Sequence, residues 1–321
     1  MFDINIKGEQ ITIREYQDGD EEKIVQLLRQ TFGNHWSLEY WQWKYKQNPY
    51  GSLIFVAYNS QNELIGHIAC QIMQGIEGGE TRSFLYACDN IVTEKYRGNG
   101  ISSIFIRLLP KDVLVFGFQN AKALSVTKKY EKEYSSPLHF FKIPIFSKKV
   151  TLGQRMRKSI LKLTISSFEI KEVSDDNLLV LDSLWEKKKN ELEESVVRDK
   201  KYILWRNYLN PNRMPVYAIH NKKDCVGYFS LSRRGSICYI TDILLMDQWV
   251  SVPLISSIEK FITKLHTKDV TLISTDIKIQ TTLLKSGYIN QDSITMSIAV
   301  LTKKGTLPAH PYVTYADSDL F

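Results

Sequence analysis

Asp89-Asn-Ile91-Val92-Thr-Glu-Lys-Tyr-Arg97-Gly98-Asn99-Gly100-Ile101-Ser102-Ser103-Ile104-Phe105 reads as strand, tight loop and helix, and the rest of the chain is arranged around it. Ile91 and Val92 close an apolar run that begins at Phe84, Leu85 and Tyr86, long enough for a buried strand. Two glycines follow where the backbone must turn sharply and leave N–H groups uncovered, and Ile101, Ile104, Phe105 and Leu108 then recur at helical spacing. A glycine loop that opens a helix is an anion site. First-turn N–H groups and the positive end of the helix dipole converge there, so a phosphate or pyrophosphate can be held with few side-chain charges. The dinucleotide fingerprint and the nucleoside-triphosphate loop need other glycine and lysine spacings, and neither fits.

On Val92, Arg97, Gly100 and Ser102 the segment resembles the pyrophosphate loop of the GNAT superfamily of acetyl-CoA-dependent N-acetyltransferases, Val-x-x-x-x-Arg/Gln-x-x-Gly-x-Gly/Ala. Ser102 stands where that pattern has its last small residue. An ordinary strand-to-helix turn would account for the glycines alone; the valine, the arginine and the amphipathic helix in register carry the resemblance. It implies an α/β (α+β) fold whose mixed, mostly antiparallel twisted sheet is flanked by helices. It also implies acetyl-CoA (coenzyme A) held by Ile91, Val92, Arg97, Gly98, Asn99, Gly100, Ile101 and Ser102, with Asn120 further along.

At 321 residues, 43% hydrophobic and 12% aromatic, the chain is long enough for two domains with a large core. No apolar run approaches the ~18 residues of a membrane span. Met1-Phe-Asp-Ile-Asn-Ile-Lys7 lacks the basic-then-apolar pattern of a signal peptide, so a cytoplasmic location is expected. Cys70, Cys88, Cys225 and Cys238 sit singly in apolar segments, which reads as buried thiols rather than a zinc site or a disulfide framework; no metal is expected. A net charge of +7 favours anionic partners such as coenzyme A, whereas no nucleic-acid-binding motif accompanies the scattered basic residues.

Ile11 to Arg14 reads as a short strand, followed by a helix with Ile24, Leu27, Leu28 and Phe32 on its apolar face. Trp36, Tyr40, Trp41, Trp43 and Tyr45 follow before Asn48-Pro49 breaks the helix; rings at this spacing pack a helix on a sheet, or line an acceptor pocket. Leu53–Tyr58 and Ile65–Met73 form a strand hairpin in which His67 is a structural histidine, and Gly75 to Arg82 is a polar connection. Val113–Phe118 is a strand leading to a helix from Gln119. There Asn120, Ala123 and Val126 match the GNAT pattern Asn-x-x-Ala-x-x-Leu-Tyr, Thr127 stands in place of its tyrosine, and Glu131-Lys132 in place of a closing Gly-Phe. Tyr130, one turn on, is the candidate general acid. Leu138 to Ile145 is a last strand before a basic connector.

The second half repeats the first. Tyr202-Ile-Leu-Trp205-Arg206 through Asn210-Pro211 lines up with Tyr40-Trp-Gln-Trp43-Lys44 through Asn48-Pro49. Gly227 answers Gly66, Asp242 answers Asp89, and Leu254 to Ile258 answers Gly100 to Ile104. The loop is lost: Ser251-Val-Pro-Leu254 cannot present free N–H groups to a pyrophosphate. The chain thus reads as two tandem GNAT-like domains, 1–147 with the loop and 166–302 without it, joined by a basic linker at 148–165 and ending in a tail at 303–321. Such pairs are similar to acetyltransferases of bacterial surface-polysaccharide and natural-product pathways.

The resemblance implies attack of an acceptor amine on a coenzyme A thioester. That requires a neutral amine, an N–H donor for the oxyanion and a proton or dipole for the thiolate. Asp89 is the candidate base, since carboxylates often occupy that place before the GNAT loop; Asp242, its counterpart beside no loop, points instead to shared ancestry or a structural hydrogen bond. The partner implied is a small-molecule primary amine, an amino-sugar by family analogy. Two other readings stand beside it: a non-catalytic acyl-CoA-binding or assembly protein, and a Fem-type aminoacyl transferase.

Overall fold

In a computed structural model of the chain, residues 1–111, 113–118, 138–149, 168–300 and 311–318 are described. The chain divides into two compact units, neither of which is a simple half of the sequence: Met1–Gln74, Ser83–Phe140 and Met296–Leu307 form one, and Gly75–Arg82, Phe141–Thr295 and Pro308–Phe321 the other.

The first unit is built on a sheet of β1 (Phe2–Ile6), β2 (Glu9–Glu15), β3 (Ser52–Tyr58), β4 (Leu64–Glu77), β5 (Glu80–Val92) and β6 (Leu114–Phe118), in that order. β5 and β6 run parallel. Beyond β6, Met296–Val300 of β14 (Ile289–Val300) pairs antiparallel. Alternation in β2 buries Ile11 and Ile13, and the unbroken apolar run of β3 is covered on both sides. Helix α1 (Glu21–Phe32) buries Ile24, Val25, Leu27 and Leu28 as the spacing predicts, but Phe32, in its last turn, is exposed. Helix α3 (Ile101–Leu108) drops Ile101 and Phe105 into a core with Ile11, Ile13, Phe55, Ala57, Ile65 and Ile68. A Cβ at Gly66 would stand 3.3 Å from the Phe105 ring, so the bare glycine lets α3 close on β4.

The expected polar connection from Gly75 to Arg82 is instead strand. β4 continues to Glu77, Gly78 and Gly79 make the turn at positive φ, and β5 begins at Glu80. Main-chain pairing explains it: Gly75–Glu77 bonds to β9 (Glu194–Val196), which needs no apolar side chains.

The second unit repeats the strand order of β2 to β6. β8 (Phe168–Glu172), β10 (Val216–Asn221), β11 (Asp224–Arg234), β12 (Ile237–Leu245) and β13 (Asp269–Ile273) are neighbours, with β12 and β13 parallel. β7 (Leu138–Lys149) closes this sheet by pairing antiparallel to β13 through Ile145–Lys149. Each sheet is therefore completed, past its parallel strand, by a strand encoded in the other half of the sequence. Lys148 and Lys149, expected in a connector, are strand residues, and the half-buried Lys148 pairs with Glu259 at 2.7 Å. Among the described residues no helix is long and apolar enough to cross a membrane.

Candidate active site

The loop that the sequence singles out has the conformation an anion site needs. Gly98 and Gly100 have φ of 80° and 83°, and Gly100 caps the N-terminus of α3 with no side chain taking the first-turn N–H groups. The N–H groups of Gly98, Asn99, Gly100, Ile101 and Ser102 bond to none of the described residues. Asn99 turns its amide onto the Tyr96 and Arg97 carbonyls, and Arg97 Nε donates to the Val92 carbonyl at 2.9 Å, so the side chains of the bend brace its acceptors and leave its donors uncovered. A Cβ at Gly98 or Gly100 would meet nothing within 4 Å. Ile91, Val92 and Ile101 are buried supports, and Ser102 is half-buried.

Beside the loop the sheet opens. Among the described residues the β5–β6 pairing is limited to Leu85–Val115 and Tyr86–Phe116, so Ala87 to Val92 run on without a partner in β6. The parallel pair of the second unit likewise stops at Ile240–Leu272, just before Asp242.

Asp89 lies three residues past the last β5–β6 pair with φ of 51°, a left-handed conformation inside a strand. Aspartate tolerates that region better than most residues, and such outliers persist only where their surroundings hold them. Here the surroundings are Lys44, Tyr45 and His67. Helix α2 (Leu38–Trp41) is capped by Ser37, whose Oγ accepts from Tyr40 N–H, and passes into a π-helical turn, Gln42–Lys46, closed by Gln47 N–H onto the Gln42 carbonyl. The wider turn brings consecutive residues to one carboxylate: Lys44 Nζ lies 2.7 Å from Asp89 Oδ2, and the Tyr45 hydroxyl donates to the same oxygen. The Lys44 ammonium also lies 4.8 Å from the centre of the Trp36 ring. Burial, reinforced by the Asp89 charge, pushes the Tyr45 hydroxyl well above its ordinary pKa, so it stays a donor.

His67 Nδ1 is 3.0 Å from the Asp89 carbonyl. A carbonyl only accepts, so Nδ1 carries the hydrogen and Nε2 is a bare acceptor. Nε2 is buried with no partner among the described residues, and burial lowers the imidazole pKa to about 4. Trp36 Nε1, Trp41 Nε1 and Thr93 Oγ1 are likewise buried without a hydrogen-bond partner among the described residues.

The second unit repeats this frame with different occupants. Asp199 caps the helix Lys200–Ile203 by accepting from Tyr202 N–H, a π-helical turn Leu204–Tyr208 follows, and Asn210, like Asn48, accepts from the N–H two residues on. Arg198 occupies the place of Trp36, Arg206 that of Lys44 and Tyr228 that of His67. Asp242 receives the Tyr228 hydroxyl at 2.7 Å, Arg198 Nε at 3.2 Å and the Thr314 hydroxyl at 2.7 Å. Burial opposes the charge on Arg198, but Asp242 and Asp317 outweigh it and hold the guanidinium charged.

The sequence reading located the loop and Asp89, and the structure places them in one unit. Asn120 and Tyr130, with Ala123, Val126 and Thr127, lie outside the described residues. Lys44, Tyr45 and His67 were not singled out as a group. The available signal was a lysine inside an aromatic run, which reads as packing; indeed Trp36, Tyr40, Trp41, Trp43 and Tyr45 are all buried.

A twisted, mostly antiparallel sheet flanked by helices, with one parallel pair opening beside a glycine loop at a helix N-terminus, is the fold of the GCN5-related N-acetyltransferases. Solved structures bear this out: such a protein from Anabaena variabilis superposes with a TM-score of 0.64 at 15% identity, over 91% of this chain and 73% of that one. A conserved Enterococcus faecalis protein of unknown function gives 0.64 at 11% identity, over 90% and 72% of the two chains. N-myristoyltransferase from Saccharomyces cerevisiae, solved with bound myristoyl-CoA, gives 0.60 at 7% identity, over 94% and 84%. A scan against protein-family models found no match, and a search of the curated proteins found none.

Proposed function

We propose that the chain is an acyl-CoA-dependent N-acetyltransferase that moves an acetyl group to a small-molecule primary amine. It is read as two tandem GNAT-like domains of which the first alone carries the cofactor. The observation that carries this reading is the run of uncovered N–H groups from Gly98 to Ser102 at the mouth of α3, directly after the strand whose pairing opens at Tyr86. Those donors and the dipole behind them fit a diphosphate, and the open space over both glycines admits it. Coenzyme A, when bound, supplies an activated acyl thioester. Ile91, Val92 and Ile101 brace the loop, Arg97 adds positive charge at its rim, and the main chain after Tyr86, open on its β6 side, offers N–H groups for the acyl oxygen.

Asp89 enters this reading as a positioning group. Its carboxylate already serves Lys44 and Tyr45, and its side chain is 5% exposed, so it fixes the strand outlier and the Lys44 ammonium rather than taking the amine proton directly. Asn120 and Tyr130 keep their proposed parts, contact to the cofactor and proton donation to the thiolate.

The test is calorimetric titration of acetyl-CoA into the wild type and Gly100→Asp, with thiol release measured over an amine panel. Binding by the wild type that is lost in the variant, together with turnover of at least one amine, is the expected result. Equal affinity in both proteins would remove the loop assignment. Binding without turnover of any amine would favour the acyl-CoA-binding protein, a reading that the occupied Asp89 carboxylate also suits.

A further inference from the structure

We propose that the face of the first unit carrying Trp36, Tyr40, Lys44 and His67 is the acceptor subsite, and that it takes an amine borne on a peptide-like chain held through its main-chain groups. The inference rests on the acetyltransferase reading and adds the class of acceptor.

The second unit supplies the template. On the frame shared with the first, the positions of Trp36, Tyr40 and Lys44 are Arg198, Tyr202 and Arg206, and all three grip a segment of this chain's own tail. The Tyr202 hydroxyl donates to the Ala316 carbonyl at 3.1 Å, the Arg206 guanidinium donates to the Ser318 carbonyl, and Arg198 Nη2 reaches Thr314 Oγ1 at 3.2 Å and Asp317 at 2.6 Å. Residues 312–318 are buried throughout, with Thr314 set on Asp242. Two donors one helical turn apart, Tyr202 and Arg206, thus read carbonyls of an irregular peptide.

The first unit keeps the same donor types at the same spacing, Tyr40 and Lys44, and adds what a peptide would satisfy. A peptide group brings one N–H and one C=O. His67 Nε2 is a buried acceptor and Trp36 Nε1 a buried donor, each without a partner among the described residues. Buried polar atoms are paired in nearly all folded proteins, so two orphans of opposite type near one buried ion pair point to a ligand that carries both. The Trp36 ring beside the Lys44 ammonium ties that donor to the Asp89 centre.

The experiment uses the full chain. Trialanine amide, spermidine and glucosamine are titrated calorimetrically with and without coenzyme A, on the wild type, Trp36→Phe, which keeps the ring and removes the Nε1 donor, and His67→Asn. Asparagine keeps an N–H able to reach the Asp89 carbonyl while removing the acceptor at Nε2. The expected result is at least tenfold tighter binding of trialanine amide than of glucosamine or spermidine, a loss of about tenfold in each variant, and unchanged coenzyme A affinity. Tighter binding of the amino-sugar or the polyamine, or wild-type peptide affinity in both variants, would overturn the proposal. If the wild type binds peptide but not coenzyme A, the acetyltransferase reading fails while the peptide site stands; if it binds coenzyme A but shows no peptide preference, only the site's proposed occupant fails.

Discussion

Lys44 and Asp89 meet at 2.7 Å across 45 residues of sequence, with side chains 2% and 5% exposed. Charges this deeply withdrawn from water survive only as a pair with further support, here the hydrogen bond from the Tyr45 hydroxyl to Asp89 and the Trp36 ring beside the Lys44 ammonium. The pair ties the π-helical turn of one sequence segment to the strand outlier of another.

Lys44→Met leaves Asp89 buried without a counter-charge, and breaking such a pair from one side costs about 3–5 kcal/mol. The urea midpoint should fall sharply. Lys46→Met, which removes the solvent-exposed pair with Asp18, should leave the midpoint where it is. Equal midpoints for the two variants would mean that Lys44 is not buried with Asp89 in solution.

His67 predicts a pH dependence. In the unfolded chain the imidazole takes a proton near 6.5, and in the folded protein not until about 4. Between those values the unfolded state binds more protons, so stability falls as the pH drops from 6.5 toward 4 and is flat, for this group, above that window. The contribution is about 3 kcal/mol. Comparing wild type with His67→Asn by chemical denaturation at pH 7.5 and 4.5 isolates it: the wild type should lose more stability than the variant over that interval.

Gly100 separates folding from binding. Its φ of 83° charges any side chain about 1–2 kcal/mol, and a new Cβ meets no neighbour. An aspartate there meets the same left-handed backbone cost as alanine and its charge suits the dipole, so Gly100→Asp should stay folded, with a melting temperature close to that of Gly100→Ala. Its carboxylate nevertheless fills the anion position. Loss of coenzyme A binding with an intact melting transition is the expected signature.

Gly66 and Gly227 are repeat counterparts with different tolerances. A Cβ at Gly66 meets only side chains, the nearest at 3.3 Å, whereas at Gly227 it would come within 2.7 Å of the Leu244 carbonyl and 2.5 Å of Leu245 Cδ2. Side chains can shift and a sheet backbone cannot, so Gly227→Ala should be the more damaging, with overpacking costs of about 1–3 kcal/mol. Thermal denaturation of the two alanine variants reads the order directly, and a reversed order would contradict the packing of β11 on β12.

Local pattern was enough to place the loop, because glycines that need positive φ, a preceding apolar strand and a following amphipathic helix are all written within one short stretch around Gly98 and Gly100. It was also enough to align Tyr40–Pro49 with Tyr202–Pro211, whose caps and π turns prove alike. What it could not supply were relations carried by long-range contact. Neither β7 nor β14 announces which sheet it will complete, since an apolar strand reads the same beside either neighbour. Nor could the tail at Tyr312–Ser318 be read as the occupant of the second unit's frame, or His67 as an imidazole with one bare nitrogen. Those facts depend on which buried donors and acceptors find each other once the chain has folded, and burial, which makes an unmet partner costly, exists only in the tertiary structure.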